Sequence, residues 1–98
     1  MSLQVTFHRD AQEEFLGAIS WYRNKRFGLA LEFMAEVERC MAMAAESPSR
    51  YASVEGGVRR IVLNRFPYIV YFRPEKNHIV VLGVFHTKRD PAIWPRRP

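Results

Sequence analysis

Residues 58–85 read VRRIVLNRFPYIVYFRPEKNHIVVLGVF, and this stretch decides the fold. Three runs rich in β-branched and aromatic residues, Val58–Leu63, Tyr68–Phe72 and Ile79–Phe85, stand out in it. Asn64-Arg65-Phe66-Pro67 separates the first two, and Pro74-Glu75-Lys76-Asn77-His78 the last two. Such residues suit a pleated, half-buried surface, and proline interrupts it. The connections are too short for crossovers between parallel neighbours, so they predict an antiparallel meander. The last run is apolar at successive positions, which predicts a strand buried on both faces at the centre of the sheet.

Upstream of this stretch the periodicity becomes helical. Leu3-Gln4-Val5-Thr6-Phe7-His8 still alternates apolar and polar like a strand. Asp10 with Glu13 three residues on has the form of a capping box, the Asp10 carboxylate accepting from free N–H groups at a helix start. Ala11, Phe15, Ala18, Ile19 and Tyr22 then recur at spacings of one helix face, and Gly28 punctuates the pattern. Ala30, Phe33, Met34, Val37, Met41, Ala44 and Ala45 form a second stripe, which Ser47-Pro48 stops. Ser49–Gly57, ending in two glycines, reads as a flexible loop.

The order β-α-α-β-β-β predicts a two-layer α+β domain, a helical hairpin packed on one face of an antiparallel sheet. Because the hairpin reverses direction, the first strand is expected antiparallel beside the last. Phe15, Ile19, Tyr22, Phe33, Val37 and Met41 should face the sheet, with Val81 and Val84 near its centre. Nothing in the sequence covers the other face, which polar and basic side chains, the C-terminal tail or a partner must finish.

With 98 residues, 48% of them hydrophobic, residues 1–98 are expected to form one domain around one core. The single cysteine, Cys40, excludes an internal disulfide and suits a reducing cytoplasm, and its place in the helical stripe predicts a buried structural thiol. Nothing reads as a signal peptide or as an apolar run approaching the roughly 18 residues of a membrane span. Charge is unevenly spread: residues 1–49 hold five Lys/Arg against seven Asp/Glu, a net of −2, and residues 50–98 hold ten against three, a net of +7. The second half is therefore suited to an acidic partner, nucleic acid or protein.

Arg59, Arg60, Arg65, Arg73, Lys88 and Arg89 cluster around the strands, with Tyr68, Tyr71 and Phe72 interleaved. Arginines beside aromatics on an exposed sheet face can grip phosphates and stack on bases; equally, the aromatics can pack and the arginines dress the edge. His86, ending the last run, is placed either for general acid–base work or for ordering a turn. The histidines and Cys40 lack metal-ligand spacing, and no phosphate loop or Gly-x-Ser-x-Gly occurs, so no cofactor or metal is expected. Glu32 and Glu36, four apart, read as a solvated helix face.

Asp10-Ala11, Trp21-Tyr22 and Gly28, then Val58-Arg59-Arg60, Phe66-Pro67-Tyr68-Ile69-Val70-Tyr71, and Val84-Phe85-His86-Thr87-Lys88-Arg89-Asp90-Pro91 with Trp94 form a pattern that spans nearly the whole chain. It resembles the RelE/ParE superfamily of toxins from type II toxin–antitoxin systems, more closely the ParE-like, plasmid-stabilisation branch. The resemblance implies a helical hairpin on an antiparallel sheet and an acidic, partly disordered antitoxin as partner. It also implies one of two targets: RelE-like members cleave mRNA in the ribosome, and ParE-like members poison DNA gyrase.

The ribonuclease branch carries cations and a tyrosine at positions that correspond approximately to Arg60, Val62, Ile69, Arg89 and Trp94, of which only Arg60 and Arg89 are basic here. The expectation is therefore a gyrase inhibitor that acts by binding, with Arg60, Arg73, His86, Arg89 and Trp94 as target-contacting residues. The alternative is a ribosome-dependent mRNA endonuclease using His86 or Tyr71 with Arg60 and Arg89.

Overall fold

Nine residues from His78 to His86 run through the sheet with a strand on either side, as the apolar run Ile79–Phe85 within them predicts. The computed structural model describes residues 3–88. Along the chain these form β1 (Gln4–Phe7), α1 (Arg9–Lys25), α2 (Phe27–Glu46), a 3-10 turn (Pro48–Arg50), β2 (Ala52–Ser53), β3 (Arg59–Val62), β4 (Tyr68–Pro74) and β5 (His78–His86). The sheet order is β1-β5-β4-β3-β2, and the two helices pack together on one face, giving the predicted two-layer α+β architecture.

The sheet is mixed rather than antiparallel. β2, β3, β4 and β5 pair antiparallel in sequence, but β1 lies parallel to β5, with Gln4 opposite His78 and Phe7 opposite Val81. The reason lies in the stretch expected to be a loop. Ala52–Ser53 forms an edge strand against Arg59 and Arg60, and Gly56 and Gly57, at φ 61° and 76°, turn the chain back. Positive φ costs glycine little and other residues more. This additional hairpin adds one reversal of direction, and one reversal converts the expected antiparallel β1–β5 pair into a parallel one.

Two helix boundaries also differ from expectation. His8, not Asp10, caps α1: its Nδ1 accepts the Asp10 backbone N–H at 3.1 Å. The break between the helices falls at Arg26, whose N–H closes α1 on the Tyr22 carbonyl and whose extended backbone starts α2. Gly28 sits inside the first turn of α2, and its φ is not positive.

Alanines at 11, 18, 30, 44 and 45 are buried, which lets the helices approach the sheet closely. Phe33 fills the resulting layer at zero exposure, with the Tyr22, Phe66 and Tyr68 rings at centroid distances of 5.1–5.3 Å. Edge-to-face and tilted rings at such distances are favourable beyond their buried area. Val37, Met41, Val81 and Val84 are buried as predicted, whereas Phe15 and Ile19 are half-buried against the same core. Cys40 is a buried free thiol, and burial pushes its pKa up. Among the described residues no helix is long and apolar enough to cross a membrane.

Candidate target-binding face

The sheet face turned away from the helices is less polar than its sequence suggested. Val58, Tyr71, Leu82 and Phe85 form a second buried cluster there, with Ile69 and Val80 packed against it. A bulge between Tyr71 and Phe72 sets Tyr71 opposite Gly83. The Phe85 ring lies over Gly83, where a Cβ would stand 2.8 Å from Phe85 Cε1, and it meets the Tyr71 ring edge-on at 5.5 Å. Gly83 thus provides space rather than flexibility.

Directly opposed residues on paired strands project to the same side. Arg60 opposes Tyr71, Val62 opposes Ile69, and Arg73 opposes Val80, so the three pairs share this second face. Arg60 is exposed and hydrogen-bonds the Tyr71 hydroxyl. Burial raises the Tyr71 pKa, and the neighbouring Arg60 charge and hydrogen bond partly offset that rise. Arg73 is paired with Glu75 at the strand end. Val62 stays 55% exposed beside them, an apolar surface next to a cation.

The other arginines of the meander are tied down elsewhere. Arg59 donates to the Tyr51 carbonyl at 2.6 Å, and Arg65 pairs with Glu32 at 2.7 Å. Among the described residues, no carboxylate lies within ion-pair distance of Arg60. Among the described residues, Arg60 thus presents a charge on this face that no carboxylate compensates.

His86 does not join this group. It opposes Tyr68, which packs in the helix-side core, and Tyr68 lies three positions from Tyr71 on the same strand. Alternation puts His86 and Arg60 on opposite faces. The imidazole contacts Tyr68 edge-on at 5.3 Å, and its Nδ1 accepts the Lys88 N–H at 3.2 Å, so it does order a turn. It also lines a recess of about 420 Å³ between α1 and the end of β5. Arg89 and Trp94 lie outside the described residues.

Two carboxylates that position the sheet were not recognised in the sequence. Glu14 on α1 accepts the Val84 N–H of β5 at 3.0 Å, beyond the point where β1 stops pairing. Glu36, expected on a solvated face, is only 9% exposed. Its Oε2 accepts the Asn64 and Arg65 N–H groups at 2.8 and 3.3 Å, fastening the β3–β4 loop to α2. Glu32 is half-exposed and does follow the solvated reading. Among the described residues no group of three His, Cys, Asp or Glu side chains could hold a metal ion.

The fold of this chain is shared with a solved structure of a toxin–antitoxin system. A structure titled "Chromosomal ParDE TA system from P. aeruginosa" matches with a TM-score of 0.73, covering 87% of this chain and 96% of that chain at 19% identity. At that identity the likeness establishes the fold. No curated protein matches the sequence. A family model described as "ParE toxin of type II toxin-antitoxin system, parDE" matches residues 5–91. The chain belongs to this family of ParE toxins.

Proposed function

We propose that this toxin inhibits DNA gyrase by binding it, and that an acidic, partly disordered antitoxin neutralises it. The observation that carries the reading is the Val62–Ile69 pair beside Arg60. By resemblance, the ribonuclease branch places cations at both positions. Cleavage through a ribose 2′-hydroxyl needs a base, an acid and cations for the developing phosphorane charge, all within reach of one phosphate. On the described part of this face the candidates are Arg60, Tyr71 and Arg73. Burial raises the Tyr71 pKa, which disfavours it as the base, and His86 is on the other side of the sheet. An exposed arginine set among apolar side chains suits recognition of a macromolecular surface better than proton transfer. Arg89 and Trp94, outside the described residues, are proposed as further target contacts on the resemblance alone.

The test incubates purified toxin with gyrase, ATP and supercoiled plasmid, and in parallel with translating ribosomes. Accumulation of cleaved plasmid, reduced by Arg60→Glu in a variant of unchanged circular dichroism, is the expected result. Intact plasmid together with cut mRNA on the ribosomes would instead identify an endonuclease.

A further inference from the structure

The recess beside His86 has a chemistry that the gyrase reading does not use. Trp21, Tyr22, Tyr68 and His86 line it together with Gly17, Ala18 and Pro67, and a Cβ at Gly17 would meet nothing within 4 Å outside its own turn of helix. A glycine on an α-helix costs about 1 kcal/mol relative to alanine; here it keeps the recess clear.

The walls are aromatic, but their tips are polar. The Tyr22 and Tyr68 rings belong to the core, yet neither hydroxyl hydrogen-bonds another described residue, and neither is sealed from solvent. With Nδ1 of His86 engaged by Lys88, its Nε2 is the ring nitrogen left for a ligand. An aliphatic or phenyl group placed here would strip water from these tips and return no hydrogen bond, which is costly. A flat heterocycle with donors and acceptors along its edge meets both demands. Two cations neighbour the lining residues: the Lys25 ammonium lies 4.9 Å from the Trp21 ring centroid, and the exposed Lys88 donates its backbone N–H to His86.

We propose that this recess binds the base of an unpaired nucleotide in single-stranded nucleic acid, stacked among Trp21, Tyr22 and Tyr68, with Lys25 and Lys88 near its phosphates. Base-on-aromatic stacking tolerates any base, and cations supply the backbone attraction. Bases in a duplex are already stacked and paired, so the site discriminates against duplex. This inference is independent of the gyrase reading, because it concerns the opposite side of the sheet and needs no second protein.

The test measures fluorescence anisotropy of labelled eight-nucleotide DNA and RNA strands against purified toxin at fixed salt. A strand of equal length and charge with abasic positions at its centre serves as the control. The full strand should bind at least tenfold more tightly than the abasic strand and than a duplex. Gly17→Leu, whose Cβ meets no neighbouring element within 4 Å, should obstruct the recess and remove that difference while leaving thermal stability equal or higher. Trp21→Ala, at a half-exposed position, provides a second variant with the same expected loss. Equal affinity for full and abasic strands would overturn the proposal, since the attraction would then be to phosphate alone. So would undiminished base dependence in both variants. Preferential capture of an acidic peptide bearing an aromatic residue, with no base dependence, would instead make the recess a protein anchor and overturn it too.

Discussion

Glu36 Oε2 on α2 accepts the backbone N–H of Asn64 at 2.8 Å, across 28 positions of sequence. One carboxylate oxygen thereby joins the helical layer to the turn that delivers β4. The same oxygen accepts from Arg65, whose guanidinium grips Glu32 one turn earlier on α2, so the loop is fastened through both backbone and side chain. Replacing Glu36 with alanine leaves part-buried amides without their acceptor, a loss of about 1–3 kcal/mol. Urea unfolding of Glu36→Ala should show a lower midpoint at unchanged slope. Glu36→Gln retains an acceptor oxygen and should fall between it and the parent. Equal midpoints for all three proteins would show that the loop holds itself.

The Phe85 ring occupies the space over Gly83, so even a methyl group there must displace a ring that is only 1% exposed. Gly83→Ala should destabilise by about 1–3 kcal/mol through overpacking. For a domain of this length each kcal/mol lowers Tm by about 4–8 °C. Gly17→Ala, at an open helix position, is the internal contrast and should raise Tm. Identical melting of the two variants would contradict the packing described around β5.

Alkaline pH should weaken the fold. Burial raises the pKa of Cys40 above its ordinary 9.0 and of Tyr22, Tyr68 and Tyr71 above their ordinary 10.0. A group whose pKa is raised on folding holds its proton more tightly in the native state. Its stabilising contribution is therefore complete below the unfolded value and is lost as pH rises through the folded one. Unfolding free energy should decline above pH 9.0, first through Cys40 and then, past 10.0, through the tyrosines. Arg60→Ala removes the charge and hydrogen bond that hold the Tyr71 pKa down, so tyrosinate absorbance should report one tyrosine titrating later in the variant. An unchanged titration curve would dissociate Arg60 from Tyr71.

Neutralisation by an acidic antitoxin should depend on the charge of the sheet face. Glu replacements at Arg60 and Arg89 together should weaken antitoxin binding and flatten its salt dependence, because like charges then meet across the contact. Calorimetric titration at two ionic strengths measures both effects. Unaltered affinity and salt response would mean that the antitoxin docks elsewhere.

What could be read in the sequence was whatever local pattern dictates. Ile79, Val81 and Val84 announced a central strand, and the stripes through Phe33, Val37 and Met41 announced the helix faces, because buried apolar periodicity is written in neighbouring residues. The parallel β1–β5 pair was not legible: it depends on Ala52–Ser53, a two-residue strand exposed throughout and lacking any alternation. Glu36 looked solvated because Glu32 precedes it by one turn, and the amides that bury it come from a loop 28 positions away. Among the candidate site residues, the resemblance grouped His86 or Tyr71 with Arg60. The count of residues along β4 puts His86 behind the other two, which becomes visible only when the register with Tyr68 is known.

The parallel seating of β1 has a bearing on how the chain comes into being. Thr6 in β1 donates its hydroxyl to the Ile79 carbonyl in β5, 73 positions later. β5 follows both of its neighbours along the chain, and until it is made β1 has no strand to pair with and β4 has only β3. Pairings between such distant partners make folding slow and leave partial chains without a closed core. A chain that stops before β5 therefore leaves Tyr71 without Leu82 and the Phe85 ring that it packs against, and the face around Arg60 unfinished.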